Sequence, residues 1–293
     1  MLNIGKTKPF KSYEEQLKLL EERGLEVPDC DKALSVLRSI NYYRLSGYSL
    51  TLRKDDHFYK GITFDNIYEL YMFDEQFRST IMKYCSIVEV SFRSYISYYH
   101  AQKYTPLGYL EPQNFEDIPR HSSFIVELDK EIERSDDYFI AHHKNDLNCV
   151  FPFWVAIEVT SFGLLSKFFK NMNVTDRTSI AHEYVGYGRK YVENWLQCCS
   201  YCRNIAAHGG RFYNRLLKSC PVNLNHKRYP NISNKTPFAF TIAIYNLLPS
   251  ERVRNMFIND LEECFSSFPF ALKRYLGFPD SWEEILKYKQ DKK

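Results

Sequence analysis

The chain has 293 residues, 44% hydrophobic and 26% charged, a composition that excludes a disordered or collagen-like protein and predicts one main packed core with appendages. Its net charge of +3 is too small to name a partner, and no stretch approaches the ~20 apolar residues that span a bilayer, so no membrane partner is expected. Met1 to Lys11 lacks the apolar region of a secretory signal, which points to the cytoplasm and to eight cysteines held as reduced thiols rather than in a disulfide framework.

Ser12 and Glu15 have the spacing of a capping box, so a short helix starts there and stops at Gly24. A second helix is predicted from Asp31 to Ser46 on the apolar face Ala33, Leu34, Val36, Leu37 and Ile40. Residues 48–61 carry Arg53, Lys54, Asp55, Asp56 and Gly61 between short apolar pieces and read as an exposed loop or small hairpin. Thr63 then caps a helical stretch to about Lys103, either one helix or two joined near Phe73, in which Ile67, Leu70, Phe77, Ile81, Tyr84, Val88 and Phe92 recur at helical spacing. A loop is expected over 105–119, a helix with an acidic face over 122–134, a second loop over 136–150, and one buried helix from Pro152 to about Asn171. Arg189 to His208 forms a further helix, and Phe238–Leu248, Arg252–Ser267 and Ser281–Tyr288 close the chain. The expected class is therefore predominantly all-α.

Charge is unevenly spread. From Asn194 to Ser250 there is no Asp or Glu, whereas Arg203, Arg211, Arg215, Lys218, Lys227, Arg228 and Lys235 are basic; residues 111–137 reverse the bias, with nine acidic residues against Arg120, Lys130 and Arg134. Such a basic region suits a polyanion such as RNA, with Lys218, Lys227 and Arg228 as candidate contacts; the plainer alternative is a solvated basic surface beside an acidic one.

Inside the basic region lies Arg203-Asn204-Ile205-Ala206-Ala207-His208-Gly209-Gly210. At ~100° per residue Arg203 and His208 stand ~140° apart on a helix, while Asn204 and His208 share a face. Gly209-Gly210 ends or loosens the helix beside His208, so the long Arg203 side chain can swing toward it and Asn204 can orient the imidazole. If the helix resumes, Arg211 and Arg215 fall on the His208 face. Taken alone, the pair would more often be a salt-bridging Arg and a satisfied His.

The R-N-x-x-x-H spacing of Arg203, Asn204 and His208 resembles the HEPN ribonuclease superfamily, and the run from Arg203 to Arg215 resembles the signature of Abi-like (abortive infection) proteins. Lys8-Pro9-Phe10-Lys11-Ser12-Tyr13-Glu14-Glu15-Gln16, Ile40-Asn41-Tyr42-Tyr43-Arg44-Leu45-Ser46-Gly47-Tyr48 and Trp154-Val155-Ala156-Ile157-Glu158 are similar to that family in order. Two positions depart from its pattern: Ala206 stands where a Cys is frequent and Gly209 where a second His is, so neither contributes to catalysis here.

The resemblance implies a HEPN-like helical core over residues 62–219, preceded by an N-terminal helical region with a hairpin (1–61) and followed by C-terminal helices packed on the core (220–293). It also implies metal-independent RNA cleavage without a cofactor. Arg203 and His208 would be catalytic, with Asn204, Arg211 and Arg215 in support. A histidine with a pKa near 6.5 can take the 2′-hydroxyl proton, and an arginine can stabilise the charge of the phosphorane. Products would carry 2′,3′-cyclic phosphate and 5′-hydroxyl ends, and DNA would be no substrate. Such sites are usually assembled from two motifs face to face across a homodimer. The expected role is an endoribonuclease effector of anti-phage defence. The alternative is a non-catalytic module that holds a structured regulatory RNA.

Arg93 and His100, spaced to share one helix face, are a second candidate motif; with Glu89 four residues before Arg93, the bland reading is a Glu-Arg surface pair and a helix-end histidine. Cys198, Cys199, Cys202, Cys220 and His226 could be read as a zinc site, but the trio lies in a helix of Tyr, Trp and Leu, which favours buried thiols and no metal. Tyr42, Tyr43 and Arg44 could stack on bases or pack under the following loop, and packing is favoured. The chain has no nucleotide-binding, serine-hydrolase or zincin motif.

Overall fold

The computed structural model describes residues 8–287. Ser12 accepts from the Glu15 amide (3.2 Å) and Glu15 accepts from the Ser12 amide (2.7 Å), so the capping box opens α1 (Tyr13–Glu22) as its spacing predicts. The helix predicted over 31–46 is broken. Asp29 caps α2 (Cys30–Ser39), Ile40 is extended, and the Asn41 side chain accepts from the Tyr43 amide (2.9 Å) to start a new turn, α3 (Tyr42–Ser46). Asn41 offers the backbone a local partner, which favours a fresh start over continuation. The hairpin alternative for 48–61 is the one realised: β1 (Arg53–Lys54) pairs antiparallel with β2 (His57–Phe58) across Asp55 and Asp56, both at positive φ.

The long apolar stripe forms one helix, α4 (Phe64–Tyr104), of 41 residues and about 60 Å, with no break at Phe73. Phe73 is fully buried there against the rings of Phe77, Tyr213, Phe265 and Phe268. Asp117 caps α5 (Ile118–Arg134), earlier than predicted, with Pro119 in its first turn. Part of the expected loop at 136–150 is α6 (Tyr138–Asp146), whose one buried side chain, Ile140, gives no periodic stripe.

The single helix expected over 152–171 is also split. α7 (Phe153–Ala156) runs into a tight turn over 157–159, Thr160 is extended, and Ser161 caps α8 (Phe162–Asn171) by accepting from the Leu164 amide (3.2 Å). α9 (Val174–Ile180), which no pattern announces, follows and ends in a wide turn at Gly186 (φ +76°). Then come α10 (Arg189–Ala207), α11 (Pro237–Leu247), α12 (Glu251–Ser267) and α13 (Trp282–Lys287); Tyr288, the expected end of the last helix, lies outside the described residues.

α4 and α10 are the two central helices. α4 is flanked by α7, α11 and α12, and α10 by α8 and α11, while the Cys85 thiol of α4 reaches the Cys199 carbonyl of α10 at 3.6 Å. α11 is apolar nearly all round and almost wholly buried, the pattern of a central core helix. One continuous apolar core extends from Leu17 to Leu286. The fold is predominantly all-α, and among the described residues no helix is long and apolar enough to cross a membrane.

Candidate functional site

α10 ends in a built stop. His208 is its cap residue, Gly209 takes a left-handed φ of +64°, the Gly209 amide donates to the Ala206 carbonyl (3.1 Å), and the Gly210 amide donates to the Ile205 carbonyl (2.7 Å). These two bonds complete a Schellman motif, which requires a residue at ease with positive φ after the cap. At Gly210 a Cβ would fall 2.8 Å from Ile205 Cγ2, so the second glycine is needed for space. The result is an exposed His208 at a fixed helix end.

Asn204 is placed differently from expectation. Its side-chain oxygen accepts from Arg203 Nη1 (3.3 Å), and its link to His208 is the backbone bond from the His208 amide (3.1 Å). Arg203 is half-buried and acts on Glu89 of α4, whose carboxyl is raised by burial and lowered in part by the charges of Arg93 and Arg203. Among the described residues no hydrogen bond joins Arg203 to His208 within one chain.

The helix does not resume after Gly210, so Arg211 and Arg215 reach the turn along irregular backbone rather than on a helical face. Arg211 Nη1 donates to the Gly47 carbonyl at the end of α3, and Arg215 Nη1 donates to the Arg211 carbonyl (3.3 Å). In return Arg44 Nη1, from α3, donates to the Gly209 carbonyl. Arg44 thus grips the motif turn, a role absent from the sequence reading; Tyr43 beside it is 66% exposed rather than packed.

Asp74 anchors the segment after the turn. It is fully buried on α4 and accepts from the Tyr213 amide (2.7 Å), the Phe212 amide (3.1 Å), the Tyr48 hydroxyl (2.8 Å) and Arg78 Nη1 (2.7 Å). Burial raises its carboxyl, against the opposing pull of these donors and the Arg78 charge, and burial also raises the Tyr48 phenol. Sequence reasoning missed Asp74 and Arg78; the available signal was a carboxylate in the buried stripe between Leu70 and Phe77, where an ion is kept only when paired.

The second candidate motif is not a surface pair. Arg93 Nη2 donates to Glu89 (2.6 Å) and to the Thr160 carbonyl (2.6 Å), with Glu89 itself buried. His100 does share that helix side but is 1% exposed, enclosed by the rings of Tyr104, Phe115, Phe153 and Phe168. Among the described residues neither of its ring nitrogens has a hydrogen-bond partner, and burial pushes its pKa down to about 4. The expectation of a surface pair is corrected: Glu89 and His100 are buried, and this face of α4 points into the core.

Of the other basic candidates, Lys218 and Lys227 are exposed, whereas Arg228 donates to the Tyr187 hydroxyl and lies over the Tyr187 and Tyr229 rings. Cys198, Cys199 and Cys202 are buried, Cys198 Sγ lies 3.3 Å from Cys220 Sγ, and burial raises the Cys199 and Cys202 thiols. His226 is exposed, and among the described residues no group of three His, Cys, Asp or Glu is arranged to hold a metal. A cleft of about 490 Å³ between α5 and α8, floored by Phe115, Phe124 and Phe168, contains none of the motif residues.

The family model described as Abi-like protein matches residues 35–214, more than half of the chain. That span holds the Ile40–Tyr48 block, the Trp154–Glu158 block and the whole turn from Arg203 to Asn214, and leaves the Lys8–Gln16 block outside. Neither a curated protein nor a solved structure matches the chain. On the family match, which covers the two segments that the arginines clasp together, the chain belongs to the Abi-like protein family.

Proposed function

We propose that this Abi-like protein is a HEPN-type endoribonuclease that acts in abortive-infection defence by cutting RNA at the Arg203–His208 turn. The observation that carries the reading is an exposed imidazole at a helix stop whose turn Arg44 and Arg211 hold, with no carboxylate in ion-pair contact with Arg44, Arg203, Arg211 or Arg215 among the described residues. An imidazole can take the 2′-hydroxyl proton or donate one to the leaving 5′-oxygen, and a guanidinium can stabilise the charge that develops on the phosphorus oxygens. Since no hydrogen bond joins Arg203 to His208 within one chain among the described residues, two copies facing each other would supply acid, base and charge stabilisation together. The test is incubation of a labelled RNA pool with the protein in EDTA, followed by end analysis. The reading expects 2′,3′-cyclic phosphate and 5′-hydroxyl ends, inert all-deoxy strands, and a dimer in solution. Strict Mg²⁺ dependence or cutting of DNA would overturn it.

The second reading is a module that holds a structured RNA without cutting it, favoured by the separation of Arg203 from His208 in one copy. Tight RNA binding with no turnover, in a protein that is dimeric, would select it.

A further inference from the structure

Two segments about 160 residues apart grip each other at the end of α10. Arg44 belongs to α3, whose cap residue is Gly47, and donates to the Gly209 carbonyl; Arg211 follows the Gly209-Gly210 turn and donates to the Gly47 carbonyl. Each arginine therefore holds the turn beside the other. Both glycines leave the room this needs: a Cβ on Gly209 would lie 3.0 Å from Arg44 Nη1, and one on Gly47 would lie 3.4 Å from Arg211 Nε.

The clasp leaves most of its donors unspent. A guanidinium has five N–H donors, and a single carbonyl takes one of them. The charge is unspent as well: arginine ion pairs among the described residues involve Arg23, Arg38, Arg53, Arg78, Arg93, Arg120, Arg134, Arg177 and Arg189, and none involves Arg44, Arg211 or Arg215. Arg211 is half-buried over the Tyr48 ring, 5.9 Å from its centroid, and burial together with the charge of Arg215 lowers its pKa. Asp74 is the carboxylate whose charge reaches Arg211, but its oxygens are occupied by Arg78, Tyr48 and two backbone amides. Cations held together without an internal counter-ion favour an incoming anion, and planar forks fixed in orientation suit phosphate oxygens.

We propose that Arg44 and Arg211, with Arg215 beside them, form a phosphodiester seat that fixes a nucleic-acid backbone next to His208. The seat rests on reading this turn as the place where RNA is met, and it adds a binding residue, Arg44, from a segment far from the motif. A backbone seat carries no base information and does not use the 2′-hydroxyl, so single-stranded DNA binds it without being cut. That makes an all-deoxy oligonucleotide a probe independent of cleavage.

The experiment is a fluorescence-anisotropy titration of the wild-type protein with a labelled 12-nucleotide deoxy strand between 50 and 200 mM salt, beside Arg44→Gln, Arg211→Gln, Arg215→Gln and Arg44→Lys. For single strands each phosphate contact contributes about 0.7 to the slope of log affinity against log salt. Each Gln variant is expected to bind more weakly with a slope shallower by about 0.7, and Arg44→Lys to keep most of the slope. A clasp that only holds the fold would lower the melting temperature of Arg44→Gln and leave the slope unchanged, and that result overturns the seat, as does a wild type that binds no strand. If Arg44→Gln does not fold, Arg215→Gln decides, because its exposed head makes one 3.3 Å bond to the Arg211 carbonyl. A shallower slope with no RNA cut by the wild type keeps the seat and removes the nuclease reading; RNA cutting with unchanged slopes does the reverse.

Discussion

The chain carries two Arg/His pairs on its two central helices, and the fold treats them in opposite ways. At the end of α10 a Schellman stop leaves His208 exposed, and arginines from two segments hold the turn that follows it. In α4, His100 sits 1% exposed in a cage of aromatic rings with no hydrogen bond to either nitrogen among the described residues, and Arg93 is spent on Glu89 and the Thr160 carbonyl. Spacing decides which side chains share a face. What covers that face decides whether the pair can do chemistry, and the covering elements, α7, α8 and the 105–115 segment, lie elsewhere in the sequence.

The largest expected effect is on the anchor that makes the first pair different. Asp74→Ala leaves Arg78 in the core without its partner and frees the Phe212 and Tyr213 amides, so urea unfolding should show a loss of about 3–5 kcal/mol. An unchanged midpoint would mean that the arginine clasp alone holds the turn.

The second pair should reveal itself through acid. The folded-state pKa of His100 is depressed to about 4 from an ordinary 6.5, so the unfolded chain takes the proton first. Its contribution is therefore intact above pH 6.5 and is lost as pH falls toward 4, by up to about 3 kcal/mol. His100→Phe should flatten that part of the stability profile measured by denaturation between pH 7 and pH 4; a profile parallel to wild type would place the imidazole in contact with solvent.

A smaller effect is expected at the stop itself. Gly209→Ala puts a side chain at φ +64° and 3.0 Å from Arg44 Nη1, which should cost about 1–2 kcal/mol in thermal unfolding. If the substitution were neutral, the left-handed stop would not be what exposes His208.

These contrasts also mark what the sequence discloses. α1, α4 and α10 were legible because a capping box, a long apolar stripe and a glycine stop are local signals. The breaks at Asn41 and Ser161 were hidden because a single polar cap interrupts an otherwise helical apolar pattern. α6 was missed for want of more than one buried residue. At the site, the order Arg203, His208, Gly209, Gly210 could be read directly. Arg44 and Asp74 could not, since their bonds to the turn span 165 and 138 residues.

The most direct test of the account sets the two histidines side by side: cleavage of a labelled RNA pool in EDTA by wild type, His208→Ala and His100→Phe, with melting temperatures recorded for each. His208→Ala is expected to fold and no longer cut, while His100→Phe is expected to cut at the wild-type rate. Continued cutting by a folded His208→Ala, or loss of cutting in a folded His100→Phe, would contradict it.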